Sequence, residues 1–532
     1  MIFDIIITSC AALALAANLF AELKRDLMMF QQNSYRAERY GKWLTTSGDS
    51  TSYWRLGALA ILFFTLSTFA RPWLSMIICI VFALCCLTKL LSTKYKKPLV
   101  WTARARRIYS VSVLLTVCVV GVIEGLFYDG TVERVIYLAS LALLGCYCGS
   151  HIIILCSNFC LKPVEFSITN HYINDAKRIL REMPSLMIVG ITGSYGKTST
   201  KHYLHHILSS HFDTLMTPGS FNTTMGVVRT VREFLKPYNE VFIVEMGAKN
   251  PGDIKEICDL VHPRVGIVTA VGPQHLESFK TIERVQQTKF ELVDSLPCDG
   301  VAIVNNDFEQ IACRKVDNVQ CIRYGVTNKD AEYKAIDIKY SSAGTTFTVV
   351  GPDGFKLDLS TRLMGECNVS DLLAAVITAG ELGVPHKKIA SAVASIEPVE
   401  HRLSVKRTPG GITILDDAFN SNPVGSRMAL EVLGTFKEGK RIVITPGMIE
   451  LGAEQFTLNR EFGRHIAKNA DIAIVVGAYN REAITEGIRE EHFPAESLHT
   501  VDTFAEAQRL LNSMVKGGDT VLYENDLPDT FK

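Results

Sequence analysis

The residues Ile191-Thr192-Gly193-Ser194-Tyr195-Gly196-Lys197-Thr198-Ser199-Thr200 directly follow the apolar run Leu186-Met187-Ile188-Val189. A buried strand that ends in glycines, turns and restarts as a polar helix aims several backbone N–H groups at one point, which suits a phosphate. In this reading Gly193, Ser194, Tyr195, Gly196, Lys197, Thr198 and Ser199 cradle a nucleoside triphosphate. Lys197 reaches the β and γ phosphates as a point charge, and the Thr198 hydroxyl helps hold Mg²⁺. The strict spacing of such loops is not met, because Gly190 stands one position early and Ile191 fills the place of the first glycine. The alternative is a glycine turn with a solvated lysine.

Around that loop, 532 residues leave room for about three domains. The balance of 55 basic against 55 acidic residues argues against nucleic acid as the main partner. A positive mean hydropathy of +0.17 comes from the first 160 or so residues. Apolar segments long enough to cross a bilayer recur there at Ile2 to Phe20, Ser52 to Ala70, Trp73 to Leu91, Ile108 to Tyr128 and Val132 to Leu155. Five membrane helices are expected.

Orientation follows from the basic residues, which accumulate on the cytoplasmic side of short loops. Lys24, Arg25, Arg36, Arg39, Lys42 and Arg55 follow the first span, and Lys94, Lys96, Lys97, Arg104, Arg106 and Arg107 separate the third from the fourth. The connections around Arg71-Pro72 and from Asp129 to Arg134 carry few. The chain is therefore expected in the cytoplasmic membrane as a multi-pass protein, N-terminus outside, with the phosphate loop facing cytosolic ATP. A cleaved signal peptide is the rival reading of residues 1 to 23, with Ala14-Leu15-Ala16 as a cleavage site. Positive charge follows rather than precedes the apolar run, opposite to such a peptide. Of the 14 cysteines, nine lie in the membrane part, and the other five lack metal or disulfide spacing. They read as small apolar residues and reduced thiols.

From Lys162 the composition becomes that of an α/β protein. A polar, helical linker over 162–184 precedes strands at Leu186 to Ile191, Val241 to Val244, Val265 to Val268 and Val301 to Val304, which alternate with helical stretches as in a parallel sheet. Val316 to Arg362 reads as β-rich. A second α/β pattern follows, with strands at Ile412 to Leu415, Arg441 to Thr445, Ile472 to Val476 and Thr520 to Tyr523. The expected division is 1–161, 162–184, 185–398 and 399–532.

Further short motifs accompany the loop. In order they are Phe221-Asn222-Thr223-Thr224-Met225-Gly226, Val244-Glu245-Met246-Gly247-Ala248, Gln274-His275-Leu276-Glu277-Ser278-Phe279 and Lys289-Phe290-Glu291. Then come Asn305-Asn306-Asp307, Gly365-Glu366-Cys367-Asn368, Glu400-His401-Arg402, Asp416-Asp417-Ala418-Phe419-Asn420-Ser421-Asn422-Pro423 and Pro446 to Gly452. Together they resemble the Mur ligases from Leu186 to the end, most of all the type that adds D-alanyl-D-alanine to a UDP-muramoyl tripeptide. The apolar spans give a multi-pass α-helical membrane domain, and after it the resemblance implies an α/β P-loop central domain and a smaller Rossmann-like α/β C-terminal domain. It implies an ATP-dependent, ADP-forming ligase that phosphorylates a carboxylate and lets an amine attack the acyl phosphate. Positioning and metal ions that neutralise oxygen charge dominate such phosphoryl transfer.

By resemblance, Thr198 and Glu245 would hold one Mg²⁺ and His275 a second, with Lys197, Asn222, His275 and Lys289 as catalytic residues. Lys289 matches a lysine that is often carbamylated in this family. Asn222 would contact the γ phosphate or the acyl oxygen. Asn368 would meet the adenine, Arg402 and Asp417 would close over the nucleotide, and Thr223, Asn420 and Asn422 would bind substrate. Each has an ordinary alternative. Glu245 ends an apolar strand, where a carboxylate is costly to bury without a cation, or it lies on the surface. His275 is otherwise a plain loop histidine, since Mg²⁺ prefers oxygen. Lys289 is otherwise part of a solvated helix face, and Asp416 and Asp417 otherwise cap a helix.

Two departures from the family stand out. Glu366-Cys367 precede Asn368 where many members have Arg-His, and the N-terminal domain that grips the UDP moiety has no counterpart. The five spans take its place, so a lipid-linked acceptor competes with a UDP-linked one, and the amine donor is an amino acid or dipeptide. The basic loop Lys94 to Arg107 would then lie near anionic head groups or a pyrophosphate, or simply set topology. A poly-γ-glutamate synthetase-type ligase and a membrane transport or regulatory ATPase remain as alternatives.

Overall fold

The computed structural model describes residues 2–67, 72–93, 95, 97–127, 130–341, 344–419 and 421–526. Its two compact units divide between Asn170 and His171. The first is a helical bundle. Four helices among the described residues are long and apolar enough to cross a membrane: Ile2–Gln32, Trp73–Ser92, Ala103–Phe127 and Ser150–Arg181.

Two expected spans differ. The second is a 15-residue helix, Tyr53–Ser67, that runs into undescribed positions. The fifth is not one straight helix but is divided at Gly149, between Val132–Cys148 and Ser150–Arg181. Glycine is a weak helix former. In addition, the Arg55 guanidinium donates to the Tyr147 carbonyl at 3.3 Å, drawing it from the helical ladder. The Gly149 N–H still donates to the Gly145 carbonyl at 3.2 Å, and Ile152 N–H to that of Gly149 at 2.9 Å. The break is thus a kink, not a reversal. The expected linker is helical as far as Arg181. Lys94, Lys96, Arg71 and Asp129 lie outside the described residues.

The second unit holds two sheets. The first contains β1 (Met187–Thr192), β2 (Thr214–Met216), β3 (Val241–Glu245), β4 (Val265–Val268), β5 (Val301–Asn305), β6 (Gln320–Gly325), β7 (Tyr333–Ser341), β8 (Gly344–Val350) and β9 (Lys356–Thr361). Their order is β2-β3-β1-β4-β5-β6-β7-β8-β9, parallel as far as β7 and antiparallel beyond. The strands β3 and β4 are buried throughout, which is why they read as unbroken apolar runs rather than alternating ones. The second sheet has β10 (Ser404–Arg407), β11 (Thr413–Asp417), β12 (Arg441–Thr445), β13 (Ile472–Val476), β14 (Leu498–Val501) and β15 (Thr520–Glu524) in the order β10-β11-β15-β12-β13-β14. Asp416 and Asp417 are therefore the end of a strand and not a helix cap. The cap of the following helix is Asn422.

The strand β1 lies between β3 and β4, where the chain order reverses. In open α/β sheets that crevice, at the carboxyl ends of the strands, is where ligands bind. The glycine that stood one position early has a packing role. A Cβ on Gly190 would lie 2.7 Å from Leu292 Cδ1 and 2.9 Å from Met246 Cε, so glycine lets the helix Ile282–Asp294 approach the sheet.

Candidate active site

The loop after β1 is tied down by hydrogen bonds within the protein. Ser194 N–H donates to the Ala270 carbonyl at 2.7 Å, its hydroxyl donates to the Gly272 carbonyl at 3.1 Å, and the Tyr195 hydroxyl donates to Pro273 at 3.1 Å. Thr269 bonds the Tyr195 carbonyl. Gly196 has φ 77°, and a Cβ there would meet Asp371 Oδ1 at 2.1 Å, so both backbone conformation and space demand glycine. The helix Lys197–Leu208 begins immediately after it, directing its N-terminal N–H groups to the crevice. Lys197 folds over this loop, donating to the carbonyls of Gly193 at 2.6 Å and Ser194 at 3.2 Å. Burial lowers its pKa to about 8, against the pull of Glu245 and Asp371 and with the push of Arg402.

Glu245, the last residue of β3, is the centre of the site. It is 1% exposed. One oxygen accepts from the Thr198 hydroxyl at 3.2 Å and from the Asn222 amide at 3.0 Å, while the other pairs with the Lys201 ammonium at 2.9 Å. Burial alone would raise its pKa, but Lys201, Lys197 and Asn222 reverse this and hold it below the ordinary carboxylate value. The carboxylate is thus buried and ionised. Carboxylate and hydroxyl oxygens at the mouth of a phosphate loop are the donor set Mg²⁺ prefers, so Thr198 and Glu245 fit that ion. Ser199 is buried in the same helix.

His275 lies within electrostatic reach of Lys289, and Lys289 of Lys197. His275 adopts φ 53° at the start of the short helix Leu276–Phe279, and its Nδ1 pairs with Glu450, from the loop after β12. Glu450 also faces Lys249 at 3.5 Å. Burial lowers the imidazole pKa, opposed by Glu450 and aided by Lys249 and Lys289. Lys289 is 2% exposed, which excludes the solvated-face reading. Burial, reinforced by Lys197, pushes its pKa well below that of an ordinary lysine.

The second sheet reaches the loop through Arg402. Its guanidinium lies 3.4 Å from the Thr198 hydroxyl and 4.5 Å from the centre of the Phe419 ring. Asp417 accepts from Leu403 N–H at 3.0 Å, and burial raises its pKa despite Arg402. A cleft of about 770 Å³ opens beside these groups, lined among others by Thr198, His202, Tyr203, Arg402 and Phe419. Asn368 does not face it freely: its amide accepts from the Tyr203 hydroxyl at 2.7 Å and donates to the Met364 carbonyl at 2.8 Å. Thr223 and Asn422 are both helix N-caps, accepting from Gly226 N–H at 3.3 Å and Gly425 N–H at 2.8 Å. Asn420 lies outside the described residues.

Three groups escaped the sequence reading. Lys201 follows Lys197 by one helical turn, and that spacing was the available signal. Asp371 follows Asn368 at i+3 beneath Gly196. Glu450 carries no local signal, because its partner His275 is 175 positions away.

The Mur ligase middle domain matches residues 191–379, and the pattern described as "Mur ligase, glutamate ligase domain" matches 401–523. The UDP-N-acetylmuramoyl-tripeptide–D-alanyl-D-alanine ligase of Haemophilus influenzae is 30% identical over 59% of this chain and 68% of its own length. That of Escherichia coli is 27% identical over 68% of this chain and 82% of its own. Among solved structures, the MurF ligase of Thermotoga maritima in complex with ADP superposes with a TM-score of 0.60 at 25% identity, covering 67% of this chain and 80% of that one.

Proposed function

The chain belongs to the Mur ligase family, and from that premise we propose that it is an ATP-dependent, ADP-forming carboxylate–amine ligase of the MurF type in cell-envelope construction. The observation that carries this is the Lys197, Thr198, Glu245 and Asn222 constellation at the end of β1 and β3, reached by Arg402 from the second sheet.

The reaction transfers the γ-phosphoryl group from ATP to a carboxylate oxygen, releasing ADP. The amine nitrogen then attacks the acyl carbon, loses a proton, and phosphate leaves. Lys197, with Arg402, offsets phosphate charge, and the loop N–H groups fix its position. Mg²⁺ held by Thr198 and Glu245 would supply further charge neutralisation. Asn222 lies beside Glu245 where the γ phosphate or acyl oxygen would be oriented. Asp417 supports the Arg402 region, and Asn368, assigned to the adenine, holds the Tyr203 hydroxyl in the lining of the cleft. Thr223 and Asn422, at helix N-termini, and Asn420 are assigned to substrate.

A second metal near His275 is compatible with Lys289 only if that lysine loses its positive charge. A buried amine with depressed pKa is the form that combines with CO₂, so carbamylation of Lys289 fits the site. Loss of activity in Lys289→Ala with recovery on adding short carboxylic acids tests it; full activity without rescue removes Lys289 from the mechanism.

The N-terminal unit is proposed to lie in the cytoplasmic membrane with its N-terminus outside. The kink at Gly149 leaves five crossings, and the enzymatic unit, divided at about 185–398 and 399–532, faces the cytosol. The apolar length of four helices supports this. Tags at the two chain ends should report opposite faces. The acceptor is a muramoyl peptide, and anchoring of the enzyme favours a lipid-linked form over a UDP-linked one. The decisive assay supplies acceptor, amine and γ-labelled ATP: ADP and a new amide should form in equal amounts only with both substrates present. Phosphate release without amine would identify a transport or regulatory ATPase instead.

A further inference from the structure

A buried ammonium already occupies the carboxylate assigned to the metal. Lys201 is 0% exposed, and its Nζ lies 2.6 Å from the Gly219 carbonyl and 2.9 Å from the Glu245 oxygen opposite Thr198 and Asn222. Burying such a pair carries a desolvation penalty for both ions, and nothing in phosphate binding requires a second lysine one turn inside the helix. Resting on the reading of Glu245 as a metal ligand, we propose that Lys201 is a positioning residue. It neutralises Glu245, excludes bare divalent cations, and admits the metal only as its nucleotide complex.

The charges facing the carboxylate carry the argument. Lys201 and Lys197 act on Glu245 from the helix after the loop, and Arg402 acts from the second sheet. A bare dication entering here meets three positive groups, a Glu245 carboxylate already paired with Lys201, and Asp371 and Asp417, which burial shifts toward their neutral forms. A metal–triphosphate complex is an anion overall, and the same three groups attract it. Lys201 also fixes which Glu245 oxygen faces the loop: one is held by the ammonium, which leaves the other beside the Thr198 hydroxyl at 3.2 Å. Metal and nucleotide would then enter together, and a free metal ion would not occupy the site ahead of substrate.

The test is Mn²⁺ titration of the full-length protein, read by electron paramagnetic resonance. Without nucleotide, wild type should leave Mn²⁺ free, whereas Lys201→Met should bind it on the order of tenfold more tightly or better. Lys201→Arg should behave as wild type, and adding Glu245→Gln to Lys201→Met should abolish the gained site. Equal Mn²⁺ affinity in wild type and Lys201→Met, with both still binding Mn²⁺ in the presence of ATP, overturns the role of Lys201 and leaves Glu245 as metal ligand. Tight Mn²⁺ binding by nucleotide-free wild type overturns it regardless of how the variants fold. If Mn²⁺ with ATP gives no site that Glu245→Gln alone removes, the Glu245 assignment falls and the proposal with it.

Discussion

The molecule buries charge in two places and treats it differently. In the helical bundle, Arg55 bonds Asp26 at 3.0 Å, Glu22 at 3.1 Å and the Ser150 hydroxyl at 2.8 Å, and Arg25 pairs with Asp49. Both guanidinium terminal nitrogens of Arg55 are used, and its partners come from the first helix, from Asp49 and from the residues on either side of Gly149. In the enzymatic unit, Glu245 is equally buried, but only one of its oxygens is closed off by a lysine. The other lies at the mouth of a phosphate loop. A buried ion held by other ions fixes helices to each other; one whose second oxygen meets only a hydroxyl and an amide can exchange those contacts for a cation.

The largest effect should come from the open cluster. Lys197→Ala should lower kcat/KM by about 10³-fold, as removal of a group acting on transition-state charge does, with little change in thermal stability. Steady-state ADP release and a melting curve on the same preparation check both halves. A variant that melted early but retained its rate per folded molecule would erase the contrast with the bundle.

Arg55→Met should behave in the opposite way. It leaves the buried Asp26 and Glu22 with Arg25 as their remaining cationic partner among these groups, and breaking part of such a buried network costs up to about 3–5 kcal/mol. Loss of the folded helical unit in detergent, followed by far-ultraviolet circular dichroism on heating, is the expected result. Unchanged melting would show that the bundle network is dispensable.

The open cluster should also titrate. Lys197, lowered to about 8 by burial, carries its charge below that pH and loses it above. Asp371, beside Gly196, is raised to about 8 by burial, with Arg402 and Lys197 pulling it down, and becomes an anion over the same range. The first change removes an attraction for phosphate and the second adds a repulsion. ATP affinity should therefore be level below pH 8 and fall above it, by roughly tenfold for each unit that one such group controls. Fluorescence titration with an ATP analogue from pH 6.5 to 9.5 measures this. Asp371→Asn should remove its share of the fall, and a profile that stays flat to pH 9.5 would show that neither group governs binding.

How much of this was readable beforehand follows the range of each interaction. The strands at 241–245, 265–268, 301–305, 441–445 and 472–476 are built on short apolar runs, and polar residues at or beside their ends already mark most of their limits. Gly193 to Thr198 is legible for the same reason, being a local loop between a strand and a helix. What sequence did not show is pairing over distance. Lys201 reads as a polar helix residue until β3 brings Glu245 beside it, and His275 reads as a lone histidine until Glu450 arrives from the second sheet. The edge strand β2 has three residues, too few for a periodicity to show, and the edge strand β14, Leu498-His499-Thr500-Val501, lacks the apolar run that marks β4. The kink at Gly149 depends on Arg55, 94 positions earlier in the chain, so an unbroken apolar count across it gave one helix too long.

The smallest effect separates capping from substrate contact at Asn422. Its side chain accepts from Gly425 N–H at 2.8 Å, ahead of Pro423 at the first position of the helix Pro423–Thr435. If capping is its whole role, Asn422→Ala should cost about 1 kcal/mol of stability, and Asn422→Asp or Asn422→Ser, which also cap, should restore it. If the amide also holds substrate, the serine variant should regain stability while KM for the amine or acceptor stays elevated. Serine supplies the acceptor that the Gly425 N–H needs but neither donor of the carboxamide. Chemical denaturation paired with substrate titration on the three variants therefore divides the two roles. Full recovery of KM by serine would place Asn422 with the closed, purely architectural residues rather than with the open cluster around Glu245.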